Sequence, residues 1–232
     1  FGAVLAMVLG FNLLGIELFC FIFGLVAMGF ALFLSFAFDK NKTILMLILG
    51  GIICSSFFGA GVSALKILAD PYNTLPNIVF WLMGSLAYIQ KLPLLFVAVV
   101  FVAIFVLSVL LSWQIDILNL DEESAKSLGI SVKKMRILFI IFATLLASSS
   151  VALAGMIGWI GLVMPHISRF LLGANHRFML VGSVLLGGLF LLFCDTIARN
   201  AAMSEIPIGI ITSVFGVIIF SVVLLVSRKK YD

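Results

Sequence analysis

The chain has 232 residues, 64% of them apolar and only 10% charged, with a net charge of +4. A soluble domain carries about 25% charged and about 45–50% apolar residues, so a water-soluble fold is excluded. Uncharged runs near the roughly 20 residues that cross a bilayer recur, and the alternating pattern of a β-barrel is absent. The chain therefore reads as all-α, a polytopic membrane helix bundle, and its positive balance belongs to the loops rather than to nucleic-acid binding.

In chain order, Phe1–Leu14 reads as the remnant of a span whose N-terminal part is missing, since the chain starts inside an apolar run. Spans follow at about Ile16–Phe38 and Thr43–Leu65. Ala69–Leu86, with two prolines and several aromatics, is too interrupted to span and reads as an interfacial segment, with Tyr72 and Trp81 at headgroup level. A further span covers about Leu92–Leu111. The last two cover about Met179–Ile197 and Ile206–Val226. Cys20, Cys54 and Cys194 lie far apart in or near these runs and read as small buried apolar residues.

Ile137–Met164 is the ambiguous run. As one helix it would reach about 42 Å, against a hydrocarbon core of about 30 Å. Charge decides. Most Lys and Arg fall in four clusters: Lys40 and Lys42; Lys126, Lys133, Lys134 and Arg136; Arg169 and Arg177; Arg228, Lys229 and Lys230. If the chain turns over near Gly155 and Gly158 and re-crosses to about Leu172, all four lie on one side, as the cytoplasmic excess of Lys and Arg demands. The result is eight spans with the C-terminus inside. Gly155, Gly158 and Gly161 then allow a tight turn and close helix contact. Pro165 sits near the inner end of the short helix, and His166 and Arg169 reach the interface, where long polar side chains extend to water.

Candidate chemistry is sparse. His166 and His176 are the only histidines, and zinc wants three or four ligands. No metal site and no catalytic residue is expected. Ser148–Ser150 lack a nucleophile elbow, and no phosphate-binding G-x-x-x-x-G-K-[ST] occurs. The insert LDEESAKSLG places Asp121, Glu122 and Glu123 at a helix start, Lys126 one turn on and Leu128-Gly129 at the stop. It reads equally as a solvated linker and as a surface for a cytoplasmic partner. Asp195 and Arg199, four apart, admit three readings: an ion pair, an extracytoplasmic contact for a charged partner, or a proton relay. Gly51–Gly59 and Gly209–Gly216 echo each other, in the manner of transporter repeats.

Three stretches together carry a resemblance: SVALAGMIGWIGLVMPHISRFLLGANHR; DTIARN with the following EIPIGIITSVFG; and LDEESAKSLG. They resemble the permease subunits of ABC importers for iron–siderophore, haem and cobalamin, the FecCD-type, BtuC-like family, and VFWLMGSL before the fourth span, counting the remnant as the first, is similar too. The specific pattern is Gly158, Gly161, Pro165, His166 and Arg169, with Pro207 and Gly209 downstream. The resemblance covers essentially the whole chain and implies a single transmembrane permease domain over 1–232, about eight spans of a usually ten-span fold, in a bacterial inner membrane. It implies a homodimer, with ATP-binding subunits holding ATP and Mg on the cytoplasmic side and a periplasmic or lipid-anchored binding protein outside. No cofactor is implied on this chain, and membrane lipid is its surroundings. Within a cytoplasmic segment 113–136, residues Asp121, Glu122, Glu123, Ser124, Ala125, Lys126, Leu128 and Gly129 are similar to the coupling helix that docks the ATPase. Arg199 matches an arginine that pairs with the binding protein. Pro165, His166, Arg169 and the signature glycines are implied to be structural. The competing reading is a proton-coupled secondary transporter using Asp195 and Arg199.

Overall fold

The computed structural model describes residues 1–38, 44–87, 89–118, 125, 127–201 and 206–228. Among these lie ten helices and no strand: α1 Gly2–Val8, α2 Leu13–Phe38, α3 Ile44–Leu68, α4 Thr74–Leu82, α5 Lys91–Leu110, α6 Ser112–Ile117, α7 Val132–Ala154, α8 Ile160–Leu172, α9 His176–Asn200 and α10 Ile208–Arg228. The all-α class is as expected. Helix is the form that satisfies every backbone group within one segment, which a chain this apolar requires in lipid.

Polar residues mark where helices start. Asn12 accepts the Gly15 N–H at 3.0 Å and caps α2. Asp70 accepts the Asn73 N–H at 2.9 Å in the turn before α4. Asn175 accepts the Arg177 N–H at 2.9 Å and caps α9. Pro76 and Pro93 sit in the first turns of α4 and α5, where a missing N–H costs nothing.

Among the described residues five helices are long and apolar enough to cross a membrane: α2, α3, α5, α7 and α9. α10 is apolar from Ile208 to Val223. Two expectations need correction. The remnant over Phe1–Leu14 is a seven-residue helix, because Gly10 at φ +76° breaks the chain before Asn12 starts α2. The re-crossing element is a helix of 13 residues, about 20 Å long, so a crossing there needs the irregular residues 155–159 as well. The division of the long run into two helices at Gly155 is as read from charge. The interfacial segment holds the nine-residue α4.

The chain forms two compact units. The first comprises Phe1–Leu82 with Ile137–Leu153. Val4, Ala69 and Ile78 form its buried centre, with Met7, Val62 and Leu75 around them. Phe1 packs against Phe23 and Phe58, with ring centroids 5.2 and 5.5 Å apart. Here α2 also meets α7 closely, since a Cβ at Gly24 would stand 2.2 Å from the Ser148 hydroxyl.

The second unit comprises Met83–Arg136 with Ala154–Asp232. Its main core joins Val163 and Met164 of α8, Phe190, Cys194 and Ala198 of α9, and Ile208 and Ile211 of α10. A smaller core joins Ile117, Ala125 and Val132. Cys54 and Cys194 are buried and Cys20 half-buried, all three as free thiols.

Candidate functional site

The signature stretch begins where α7 ends. The Ala154 carbonyl accepts the Ser85 N–H at 2.9 Å, and Gly155 turns the chain at φ +68°. A γ-turn follows: the Ile160 N–H donates to the Gly158 carbonyl at 2.9 Å across Trp159, whose φ of 70° an L side chain rarely adopts. α8 then starts. Pro165 withholds the N–H that would reach Gly161, so this turn lacks one helical bond.

Among the described residues, a Cβ at Gly158 or Gly161 would meet nothing within 4 Å, so the close helix contact expected of these two glycines is not made there. Close approach falls elsewhere. A Cβ at Gly216 of α10 would stand 2.5 Å from the Trp159 Cβ, and one at Gly182 of α9 would stand 2.4 Å from Leu172 and 2.5 Å from the Ser168 hydroxyl. Ser168, fully buried, donates to the Met179 carbonyl at 2.8 Å and ties α8 to α9.

His166 lies exposed, with Nδ1 2.7 Å from the Leu162 carbonyl and its ring edge-on to Phe220 of α10 at 5.5 Å. Arg169, also exposed, offers its carbonyl to the Gly173 N–H at 3.0 Å. Pro207 precedes α10, whose first donors are taken by an earlier segment: Ile208 donates to the Gly84 carbonyl and Gly209 to the Met83 carbonyl, both at 3.1 Å. A Cβ at Gly209 would lie 2.2 Å from the Met83 oxygen, so only glycine fits.

Of the coupling residues, Asp121, Glu122, Glu123, Ser124 and Lys126 lie outside the described residues. Ala125 is fully buried, against Ile117 and Val132. The Ile130 N–H reaches back to the Ala125 carbonyl at 3.1 Å over Gly129 at φ +76°, which is the glycine stop read at Leu128-Gly129. Leu128 projects outward, half exposed.

Asp195 and Arg199 form an ion pair on α9, Nε to Oδ2 at 2.8 Å. They border a surface pocket with Ser85, Leu86, Ala87, Ala198, Ile206 and Ile208. The pair itself contributes a few tenths of a kcal/mol at an exposed (i, i+4) position, about 0.3.

Sequence reasoning missed one contact. Asp116 of α6 accepts from the His176 ring at Nδ1 and from the His176 backbone N–H at 3.3 Å. The only signal was a lone charge in an otherwise uncharged SWQIDIL and a histidine directly after a helix cap. Among the described residues no three His, Cys, Asp or Glu side chains gather to hold a metal.

These helices define a polytopic membrane protein, with a broken helix pair, α7 and α8, and a polar insert between spans. The chain belongs to the FecCD transport family, whose model matches residues 1–226. It is 41% identical to the molybdate import system permease protein MolB of Haemophilus influenzae over 97% of this chain and 66% of that protein. It is 35% identical to a probable iron chelatin transport system permease protein of Helicobacter pylori, over 76% of this chain and 54% of that one. The chain thus spans between half and two thirds of the length of these curated relatives. A solved structure described as a metal-chelate type ABC transporter in an inward-facing conformation superposes with a TM-score of 0.91 at 40% identity, over 97% of this chain and 71% of that one. The fold expected from the resemblance is thereby borne out.

Proposed function

We propose that this chain is the membrane-spanning permease part of an ATP-driven importer in a bacterial inner membrane. Its cargo class is a metal-centred complex: an iron chelate, haem or cobalamin, or an oxyanion such as molybdate. The observation that carries the reading is the match of fold and sequence along nearly the whole chain to a metal-chelate type ABC transporter. The chemistry agrees. The chain is 64% apolar and only 10% charged, so it has few charged side chains to recognise cargo, and selectivity falls largely to a separate binding protein. ATP and Mg belong to a partner ATPase, which the reading places against Asp121–Gly129 on the cytoplasmic side. The working unit is a homodimer, the C-terminus is cytoplasmic, and Arg199 meets an acidic residue of the binding protein outside.

Reconstitution tests this. The full-length protein, its ATPase and its binding protein are placed in vesicles, and uptake of labelled molybdate, ferric siderophore, haemin and cobalamin is compared. Uptake of one cargo that needs both ATP and the binding protein is expected. Uptake driven by a proton gradient in the permease alone would overturn the proposal and favour the relay reading of Asp195 and Arg199.

A further inference from the structure

We infer that Asp116 and His176 form a brace that carries movement of the coupling segment into α9, which makes both of them positioning residues of ATP-driven transport. The inference rests on the importer reading above and names how that site transmits force.

The geometry is a two-point bond. One oxygen of Asp116, Oδ1, accepts both the ring Nδ1–H and the backbone N–H of His176. Two donors on one residue fix its position and its orientation together. The His176 side chain is 14% exposed and that of Asp116 35%, so neither is a free surface charge. His176 is the first residue of α9, and the carboxylate faces the positive end of the helix dipole.

This bond is not needed to start the helix. Asn175 already caps α9 through the Arg177 N–H. What Asp116 adds is a link between two elements distant in sequence. On one side of the link, Asp116 adjoins Ile117, which is buried with Ala125 and Val132. Ala125 belongs to the coupling segment. On the other side, α9 is bound to α8 by the Ser168–Met179 bond and by the close approach of Gly182. A displacement at Ala125 therefore has a packed route through Ile117, Asp116 and His176 into the α8–α9 pair. A hydrogen bond along that route resists being pulled apart as well as being compressed, which apolar packing alone does weakly.

The brace needs an acceptor oxygen, not a charge. Asparagine retains it and alanine does not, which gives the test. Variants of the full-length protein are assembled with the ATPase and binding protein, and ATP hydrolysed per cargo molecule transported is measured. Wild type must first show uptake that requires the ATPase; if it does not, the importer reading falls on that control. In Asp116→Ala, ATP consumed per cargo should rise about tenfold at unchanged complex assembly, the scale of leaving hydrogen-bonding groups unpartnered. Asp116→Asn should stay within about twofold of wild type. His176→Ala, which keeps the backbone bond and disturbs folding less, should also uncouple, and it decides the matter if Asp116→Ala does not assemble. The double alanine variant should be no worse than the worse single. Normal coupling in the alanine variants, equal uncoupling by Asp116→Asn, or additive losses in the double variant would each overturn the brace.

Discussion

α5 and α8 belong to the same compact unit and are built on opposite principles. α5 has a mean hydropathy of 3.0 over its most apolar window, yet Ile104 is its one buried residue, while Leu95, Val99 and Val102 stand exposed. α8 has 13 residues, a proline inside it and a strained turn before it, yet Val163, Met164 and Ser168 are buried and the helix is bonded or closely packed to both α9 and α10. Hydropathy therefore measures how well a segment tolerates lipid, not how firmly the protein holds it. Between helices in lipid no hydrophobic force operates, and association rests on close packing and a few polar links, which α8 has and α5 largely lacks.

Substitutions at four positions, Gly216, Gly182, Ser168 and Val99, sharpen this contrast. The largest effect is expected at Gly216, where an alanine Cβ would meet the Trp159 Cβ at 2.5 Å. Gly216→Ala should lower stability by about 3 kcal/mol, read as the midpoint of denaturation in mixed detergent micelles. Because the obstacle is a Cβ, Trp159→Gly should restore much of that loss and also relieve the positive φ, whereas Trp159→Ala should not. Equal rescue by both would place the obstacle in the indole ring instead.

Gly182→Ala comes next. Its new methyl meets a Leu172 methyl and the Ser168 hydroxyl, which are side-chain ends that yield at some cost. About 2 kcal/mol is expected, from the same measurement. Ser168→Ala removes one buried hydrogen bond and should cost about 1 kcal/mol, since the Met179 carbonyl keeps the Ser183 hydroxyl at 2.6 Å. The smallest effect is expected on α5: Val99, 62% exposed, should change stability by less than about 0.5 kcal/mol on conversion to alanine. A loss at Val99 comparable with that at Gly182 would break the comparison and show that the outer face of α5 is covered in the assembled protein.

Charge and apolar run length sufficed to find the long helices. They also divided the run after Ile137 into two helices, and the break falls at Gly155, as read. The caps at Asn12 and Asn175 follow local rules that any sequence displays. Which glycines touch what was not legible. Gly158 and Gly161 sit in the most distinctive motif yet meet no neighbour among the described residues, while a Cβ at Gly209 or Gly216 would strike a backbone oxygen or a side-chain carbon. A soluble helix advertises its buried face by amphipathic spacing, but one that is apolar all round does not. The Asp116–His176 bond was hidden for a related reason: its partners are sixty positions apart, and nothing local to either names the other.

The bonds from Ile208 and Gly209 to the carbonyls of Gly84 and Met83 set an order of events during synthesis. The acceptors leave the ribosome well before their donors, with α5 to α9 made in between. Until α10 is inserted, two carbonyls in the segment before α5 have no partner of this kind, and a buried carbonyl left unmet costs about 1–3 kcal/mol. α10 therefore closes a position that the nascent chain has held open since the segment before α5, and a ribosome-stalled chain ending before Ile208 should remain a substrate for membrane chaperones and quality-control proteases until α10 arrives.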